Sequence, residues 1–157
     1  MTKAGSLPCH FTPWLACGTL KLKGSDQIRM PQTILVVDDD SQMRGLCRAA
    51  LEQAGYFVME AGDGKQALAE TQEAAVDLIL LDLCMPDMDG LEFLETVRVE
   101  SPGLKIVTMS GFMGGVLLPA AKHLGGTAAL IKPFSPDSLV SLVGELLAEG
   151  GPGGASE

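Results

Sequence analysis

Apolar residues along the chain fall into five short runs, each followed by a stretch with helical spacing. The first run, Thr33-Ile34-Leu35-Val36-Val37, is mostly β-branched and stops at Asp38-Asp39-Asp40. A run without polar alternation predicts a strand buried on both faces, as in a parallel sheet. Asp40 or Ser41 can cap the helix that follows, where Met43, Leu46, Cys47, Ala50, Leu51 and Ala54 recur until Gly55 stops it. Tyr56 to Glu60 is a second strand, and Gly62-Asp63-Gly64 turns into a helix bearing Ala67, Leu68, Thr71 and Ala75. Asp77 to Leu81 is the third strand, ending at Asp82 and a Pro/Asp/Gly turn. Gly90 opens a helix with Leu91, Leu94 and Val97 inward, and Ser101-Pro102-Gly103 ends it.

Lys105 to Met109 is the fourth strand, closed by Ser110-Gly111. Beyond it, Gly114, Gly115 and Pro119 disfavour a full helix, because a mid-helix proline costs about 3 kcal/mol. The pattern predicts a glycine-rich loop and a short helix from about Leu117, with Pro119 in its first turn. Ala128 to Ile131 is the fifth strand, followed by Lys132-Pro133-Phe134. Ser135 caps the last helix, Pro136 takes its first position, and Leu139, Leu142, Val143 and Leu146 form its inner stripe. Five strand–helix repeats with right-handed crossovers make an α/β, doubly wound parallel sheet with helices on both faces. Ligands of such sheets sit at the carboxyl ends of the strands.

Residues 1–31 lie outside this rhythm, broken by Gly5, Pro8, Pro13, Gly18, Gly24 and Pro31. They read as a disordered extension, with residues 32–149 as the domain and 150–157 as a flexible tail. Pro8, His10 and Pro13 interrupt the apolar stretch from Leu7 to Leu20, which argues against a secretory leader. Met30 stands just before the first strand and is a candidate natural start. No apolar run reaches the roughly 18–20 residues of a membrane span. Charge divides the chain: residues 1–31 carry a net +3 and the remaining 126 a net −12. So acidic a domain is a poor match for a phosphate backbone, and direct nucleic-acid binding is not expected. Divalent cations or a basic protein face suit it better. Cys9, Cys17, Cys47 and Cys84 form no zinc pattern, and Cys9, His10 and Cys17 lack a fourth ligand. Reduced thiols in a cytoplasmic protein are the simpler reading.

Four strand ends carry polar chemistry: Asp38 and Asp39, then Asp82, then Ser110, then Lys132. Each alone has a plain reading as a turn or capping residue. Together, at the carboxyl ends of strands in one sheet, they predict a shared site. Clustered carboxylates raise one another's pKa unless a cation intervenes, and a hard divalent ion such as Mg²⁺ would resolve the repulsion.

These stretches carry a family resemblance. Ile34-Leu35-Val36-Val37-Asp38-Asp39, Leu80-Leu81-Asp82-Leu83-Cys84-Met85-Pro86-Asp87-Met88-Asp89-Gly90, Ser110-Gly111 and Ile131-Lys132-Pro133-Phe134 resemble the receiver domain of bacterial two-component response regulators. The resemblance runs from about Ile34 to Leu147 and implies a flavodoxin-like sheet of order 2-1-3-4-5. It also implies a signalling protein of the two-component phosphorelay type rather than a conventional enzyme. Asp82 would accept a phosphoryl group from a phosphohistidine on a sensor histidine kinase or a histidine phosphotransfer protein. Asp39, Asp82 and the backbone carbonyl of Cys84 would hold Mg²⁺, with Asp38 acting through a water. Lys132 and Ser110 would contact phosphoryl oxygens.

Two departures from the family pattern stand out. Ala129 occupies the position, three before the lysine–proline pair, where such receivers usually carry Tyr or Phe. Gly111 to Pro119 is glycine-rich where many begin a full helix. Only ten residues follow Leu147, so the expectation is a stand-alone receiver that signals through contact with a downstream protein. Two alternatives remain. One is a degenerate receiver used as a phosphorylation-independent interaction module. The other is a haloacid-dehalogenase-like phosphatase, which wants a second acid two residues after its nucleophile, where this chain has Cys84.

Overall fold

A computed structural model describes residues 30–86 and 89–148. The extension and the tail expected from sequence fall largely on residues 1–29 and 149–157, outside the described residues. Five strands, β1 (Thr33–Val37), β2 (Phe57–Ala61), β3 (Leu78–Asp82), β4 (Lys105–Ser110) and β5 (Ala128–Ile131), form one sheet. Every pairing is parallel, and the order is β2-β1-β3-β4-β5. The helices are α1 (Ser41–Gln53), α2 (Gly64–Glu73), α3 (Gly90–Glu100), α4 (Leu118–His123) and α5 (Pro136–Ala148).

The unbroken apolar runs have the structural meaning expected of them: the central strands bury both faces. Ile34, Val36, Leu78, Leu80, Val107 and Met109 point toward Cys47 and Leu51 of α1 and Leu139, Val143 and Leu147 of α5. Their alternates Leu35, Val37, Ile79, Leu81 and Ile106 face Ala67 of α2, Phe93, Leu94 and Val97 of α3, and Ala121 of α4. Two apolar layers thus sandwich the sheet, and burying each large aliphatic side chain contributes about 1.5–3 kcal/mol before chain entropy is subtracted.

The helices begin where their capping residues stand. Asp40, Asp63 and Asp89 each accept a backbone N–H from the first turn of α1, α2 and α3. At α5 the Ser135 hydroxyl accepts the N–H of Ser138 at 3.1 Å. Between β4 and α4 a single 3₁₀ turn, Phe112–Gly114, leads into the short α4 with Pro119 in its first turn.

Packing moves several positions from where periodicity puts them. Leu46 and Ala54 face solvent, so the buried stripe of α1 narrows to Cys47 and Leu51. Phe93 is buried in α3, while Leu91 is only half-buried. In α5 the seam runs Leu139, Val143, Leu147, with Leu142 and Leu146 on its flanks. Asp77 stands just before β3, where its carboxylate accepts the N–H of Thr33 at 2.7 Å.

Candidate functional site

The chain leaves β1 to build β2 on one side, then crosses back over β1 to build β3 on the other. The loops after β1 and β3 therefore part in opposite directions and leave a crevice between them. The register pairs Val37 with Leu81, so the residues one step on, Asp38 and Asp82, emerge side by side at its floor. Asp82 pairs with Met109 and Ser110 with Ile131, which brings the ends of β4 and β5 to the same edge.

Asp38, Asp39 and Asp82 each offer a carboxylate oxygen, and these oxygens lie within 4.8 Å of one another. Asp38 is fully buried and Asp82 nearly so, whereas Asp39 is exposed at the rim. Lys132 reaches in from the end of β5. Its ammonium lies 2.6 Å from Asp38 Oδ2 and 3.4 Å from Asp82 Oδ2. The remaining acceptor positions meet backbone donors: Cys84 N–H donates to Asp82 Oδ1 at 3.1 Å, and Asp40 N–H to Asp38 Oδ1 at 2.9 Å.

Burial pushes the Asp82 carboxyl above its ordinary value. The Cys84 N–H and the Lys132 charge oppose that shift, and the Asp38 charge adds to it. For Lys132, burial alone would lower the ammonium pKa. The hydrogen bond with Asp38 and the charges of Asp82 and Asp38 outweigh burial, and the net direction is up. One ammonium is shared by two buried carboxylates, with a third carboxylate at the rim. Such a group can accept a hard divalent cation, for which oxygen ligands are the natural set.

Ser110 supplies a different signal. Its hydroxyl is fully buried and has no hydrogen-bond partner among the described residues. An orphaned buried hydroxyl costs free energy and marks a place where a further acceptor belongs. Gly111, next to it, backs onto Lys132, where a Cβ would come within 3.2 Å of that side chain.

All the site residues singled out in the sequence lie at this edge. Asp38, Asp39, Asp82 and Lys132 converge on one another, Cys84 turns its backbone N–H inward with its side chain exposed, and Ser110 is buried at the end of β4. Two further residues show their part in the site in three dimensions. A Cβ on Gly90 would lie 2.6 Å from Asp82 O and 2.6 Å from Leu83 Cα, so glycine is what lets α3 start against the end of β3. Arg44 donates to the carbonyl of Asp38 at 2.7 Å. The sequence signal for it is a cation near a helix N-terminus, where the dipole disfavours one.

Ala129 is exposed on β5 and pairs with Thr108. Beside it lies a hollow of about 370 Å³, lined by Thr108, Leu118, Pro119, Lys122 and Ala129 among others.

With this geometry in hand, comparison with known proteins places the chain in a class. Residues 34–144 match the response regulator receiver domain, and the chain belongs to that family. Members of the family are signalling proteins of two-component systems, phosphorylated by histidine kinases. The response regulator receiver protein CpdR of Brucella abortus is 36% identical over 114 residues, which cover 73% of this chain and 95% of that protein. The probable transcriptional regulatory protein TcrX of Mycobacterium tuberculosis is 34% identical over 121 residues, 77% of this chain but only 52% of that protein. The chain thus spans about half the length of TcrX. A CheY-like receiver structure from Methanospirillum hungatei superposes with a TM-score of 0.72 at 31% identity, covering 76% of this chain and 95% of that one. Among the described residues, no helix is long and apolar enough to cross a membrane.

Proposed function

We propose that the protein is a Mg²⁺-dependent phosphoacceptor. In this reading Asp82 takes a phosphoryl group from the phosphohistidine of a sensor kinase or histidine phosphotransfer protein. The observation that carries the proposal is Asp82 itself: a buried carboxylate with a raised pKa, beside an ammonium and two further acids, at the sheet edge where the buried Ser110 hydroxyl has no hydrogen-bond partner among the described residues.

A carboxylate oxygen of Asp82 attacks phosphorus. The new O–P bond forms as the P–N bond to the donor imidazole breaks, and the imidazole leaves with the electron pair and takes a proton. Phosphoryl transfer needs positioning and charge neutralisation more than covalent assistance. Asp39, Asp82 and the Cys84 carbonyl would hold Mg²⁺, with Asp38 acting through a water. Bound there, the cation supplies charge neutralisation for the incoming phosphoryl oxygens. Lys132 exchanges part of its hold on Asp82 for a phosphoryl oxygen, and Ser110 donates to another, which satisfies its orphaned hydroxyl. The acyl phosphate so formed is labile, which suits a timed signal passed on by protein contact. Cys47 and Cys84 form no disulfide among the described residues, which is compatible with a reducing, cytoplasmic setting.

Incubation with a small phosphodonor and Mg²⁺, followed by intact mass measurement, tests this. The wild type gains one acid-stable, base-labile phosphoryl group, and Asp82→Asn gains none. A wild type that gains nothing overturns the proposal and leaves the phosphorylation-independent interaction module. A group that persists in Asp82→Asn moves the site. The phosphatase reading is disfavoured because Cys84 stands where its second acid belongs.

A further inference from the structure

Arg44 sits near the start of α1, where the helix dipole is positive and the first turn holds no acid to offset a cation. Its side chain turns back over the helix start. One guanidinium nitrogen lies 2.7 Å from the carbonyl oxygen of Asp38 and 3.4 Å from that of Asp39. Its Nε lies 3.5 Å from Glu60 on β2, and Glu60 in turn accepts from Arg48 at 2.7 Å.

Resting on the function proposed above, we propose that Arg44 is a positioning residue for the acid site. It clamps the carbonyls of the turn after β1 and so sets the direction of the Asp39 carboxylate. Asp38 has other restraints: its N–H donates to Ala61 O at 3.2 Å, and its carboxylate meets Asp40 N–H and Lys132. Asp39 has none of these. Its side chain is exposed, and its carboxylate has no hydrogen-bond or ion-pair partner among the described residues. The backbone alone aims it: the Asp38 carboxylate holds that backbone at the Asp40 N–H, and Arg44 holds it at the carbonyls of Asp38 and Asp39.

The contribution is one of geometry rather than charge. A guanidinium beside a cation site repels the cation, and here Glu60, which Arg44 shares with the nearer Arg48, offsets part of that positive charge. The planar fork of arginine can point one donor at the turn and another at Glu60, which a lysine ammonium serves only in part.

The test uses the full chain, first free of metal. Amide hydrogen exchange, read by NMR, is compared for the wild type, Arg44→Met and Arg44→Lys. Mg²⁺ is then titrated by calorimetry. In Arg44→Met the Asp40 amide exchanges about tenfold faster while the amides of Leu51 and Ile79 keep their wild-type rates. The Mg²⁺ dissociation constant rises about tenfold, and Arg44→Lys recovers part of both effects. Unchanged Asp40 exchange in Arg44→Met overturns the clamp. So does acceleration of Leu51 and Ile79 along with Asp40, which would make Arg44 a general support of the fold. Wild-type Mg²⁺ affinity in Arg44→Met despite faster exchange overturns its influence on the site. A wild type that binds no Mg²⁺ sinks the metal reading instead, and the exchange rates alone then decide for or against the clamp.

Discussion

Lys132 donates to Asp38 over 2.6 Å, so the lysine at the end of β5 is anchored to the acid at the end of β1, past the two strands that lie between them. The same ammonium stands 3.4 Å from Asp82. It occupies the position of a counter-ion to the carboxylates that a divalent cation would also neutralise. Lys132→Ala removes that competitor. Mg²⁺ affinity is expected to hold or increase, while the variant loses about 3 kcal/mol of stability in metal-free buffer because two buried carboxylates face each other without a cation. Calorimetric titration and denaturant unfolding with and without Mg²⁺ measure both. Weakened Mg²⁺ binding in Lys132→Ala contradicts this account.

Asp82 makes the stability depend on pH with a definite sign. Burial raises its carboxyl above the ordinary value, so the folded chain binds that proton more tightly than the unfolded chain. Stability from this group therefore falls as pH rises from the unfolded pKa through the folded one, and the ionised Asp82 is a net cost at neutral pH. Asp82→Asn removes the charge. In metal-free buffer at neutral pH it is expected to melt higher by on the order of a few degrees. That advantage shrinks as the pH falls through the raised carboxyl pKa. Thermal melts at stepped pH check it, and a gain that grows toward acid would refute it.

The two described cysteines should differ sharply in reactivity. Cys47 is buried against the Ile34 layer, and burial with the nearby Asp38 charge pushes its thiol up to about 11 despite the opposing charge of Lys132. Cys84 is exposed. The thiolate is the reactive form, so alkylation of the native protein at mildly alkaline pH should label Cys84 and spare Cys47 until denaturant is added. Peptide mapping after a timed pulse of alkylating reagent reads the ratio directly, and equal labelling in the folded state would contradict the packing around α1.

Gly90 is the tightest approach of backbone to backbone near the site. A methyl group there would sit 2.6 Å from both Asp82 O and Leu83 Cα, and neither is the movable end of a side chain. Gly90→Ala is expected to cost about 1–3 kcal/mol and to displace the end of β3, with loss of phosphoryl uptake on Asp82 out of proportion to the loss of stability. Unfolding curves beside phosphorylation time courses separate the two effects, and wild-type behaviour in both would show that α3 can shift to accommodate the methyl group.

Much of the architecture is readable in one dimension because its signals are local. Unbroken runs such as Ile34–Val37 and Leu78–Leu81 declare strands buried on both faces. Asp40, Asp63 and Ser135 stand where helix N-termini need an acceptor, and Pro119 in the first turn of α4 confines that helix to a short piece. Boundaries and stripes moved where tertiary packing outweighed periodicity. Leu46 faces solvent, Phe93 is buried, and Leu147 replaces Leu146 in the seam of α5, because the sheet, not the helix, decides which face is covered.

The sequence by itself determined which residues stand at strand ends: Asp38, Asp39, Asp82, Ser110 and Lys132 follow their strands covalently, so their placement at one edge comes with the parallel repeat. What only the tertiary structure decided is how they meet. The strand order matches the one the family resemblance implied; it is the register and the side-chain packing that set Asp38 beside Asp82, the span of Lys132 across both, and a Ser110 hydroxyl without a partner among the described residues. Arg44 and Gly90 belong to the same class. Their importance lies in contacts with the backbone of Asp38 and Asp82, and a backbone contact leaves no mark on the residue it touches.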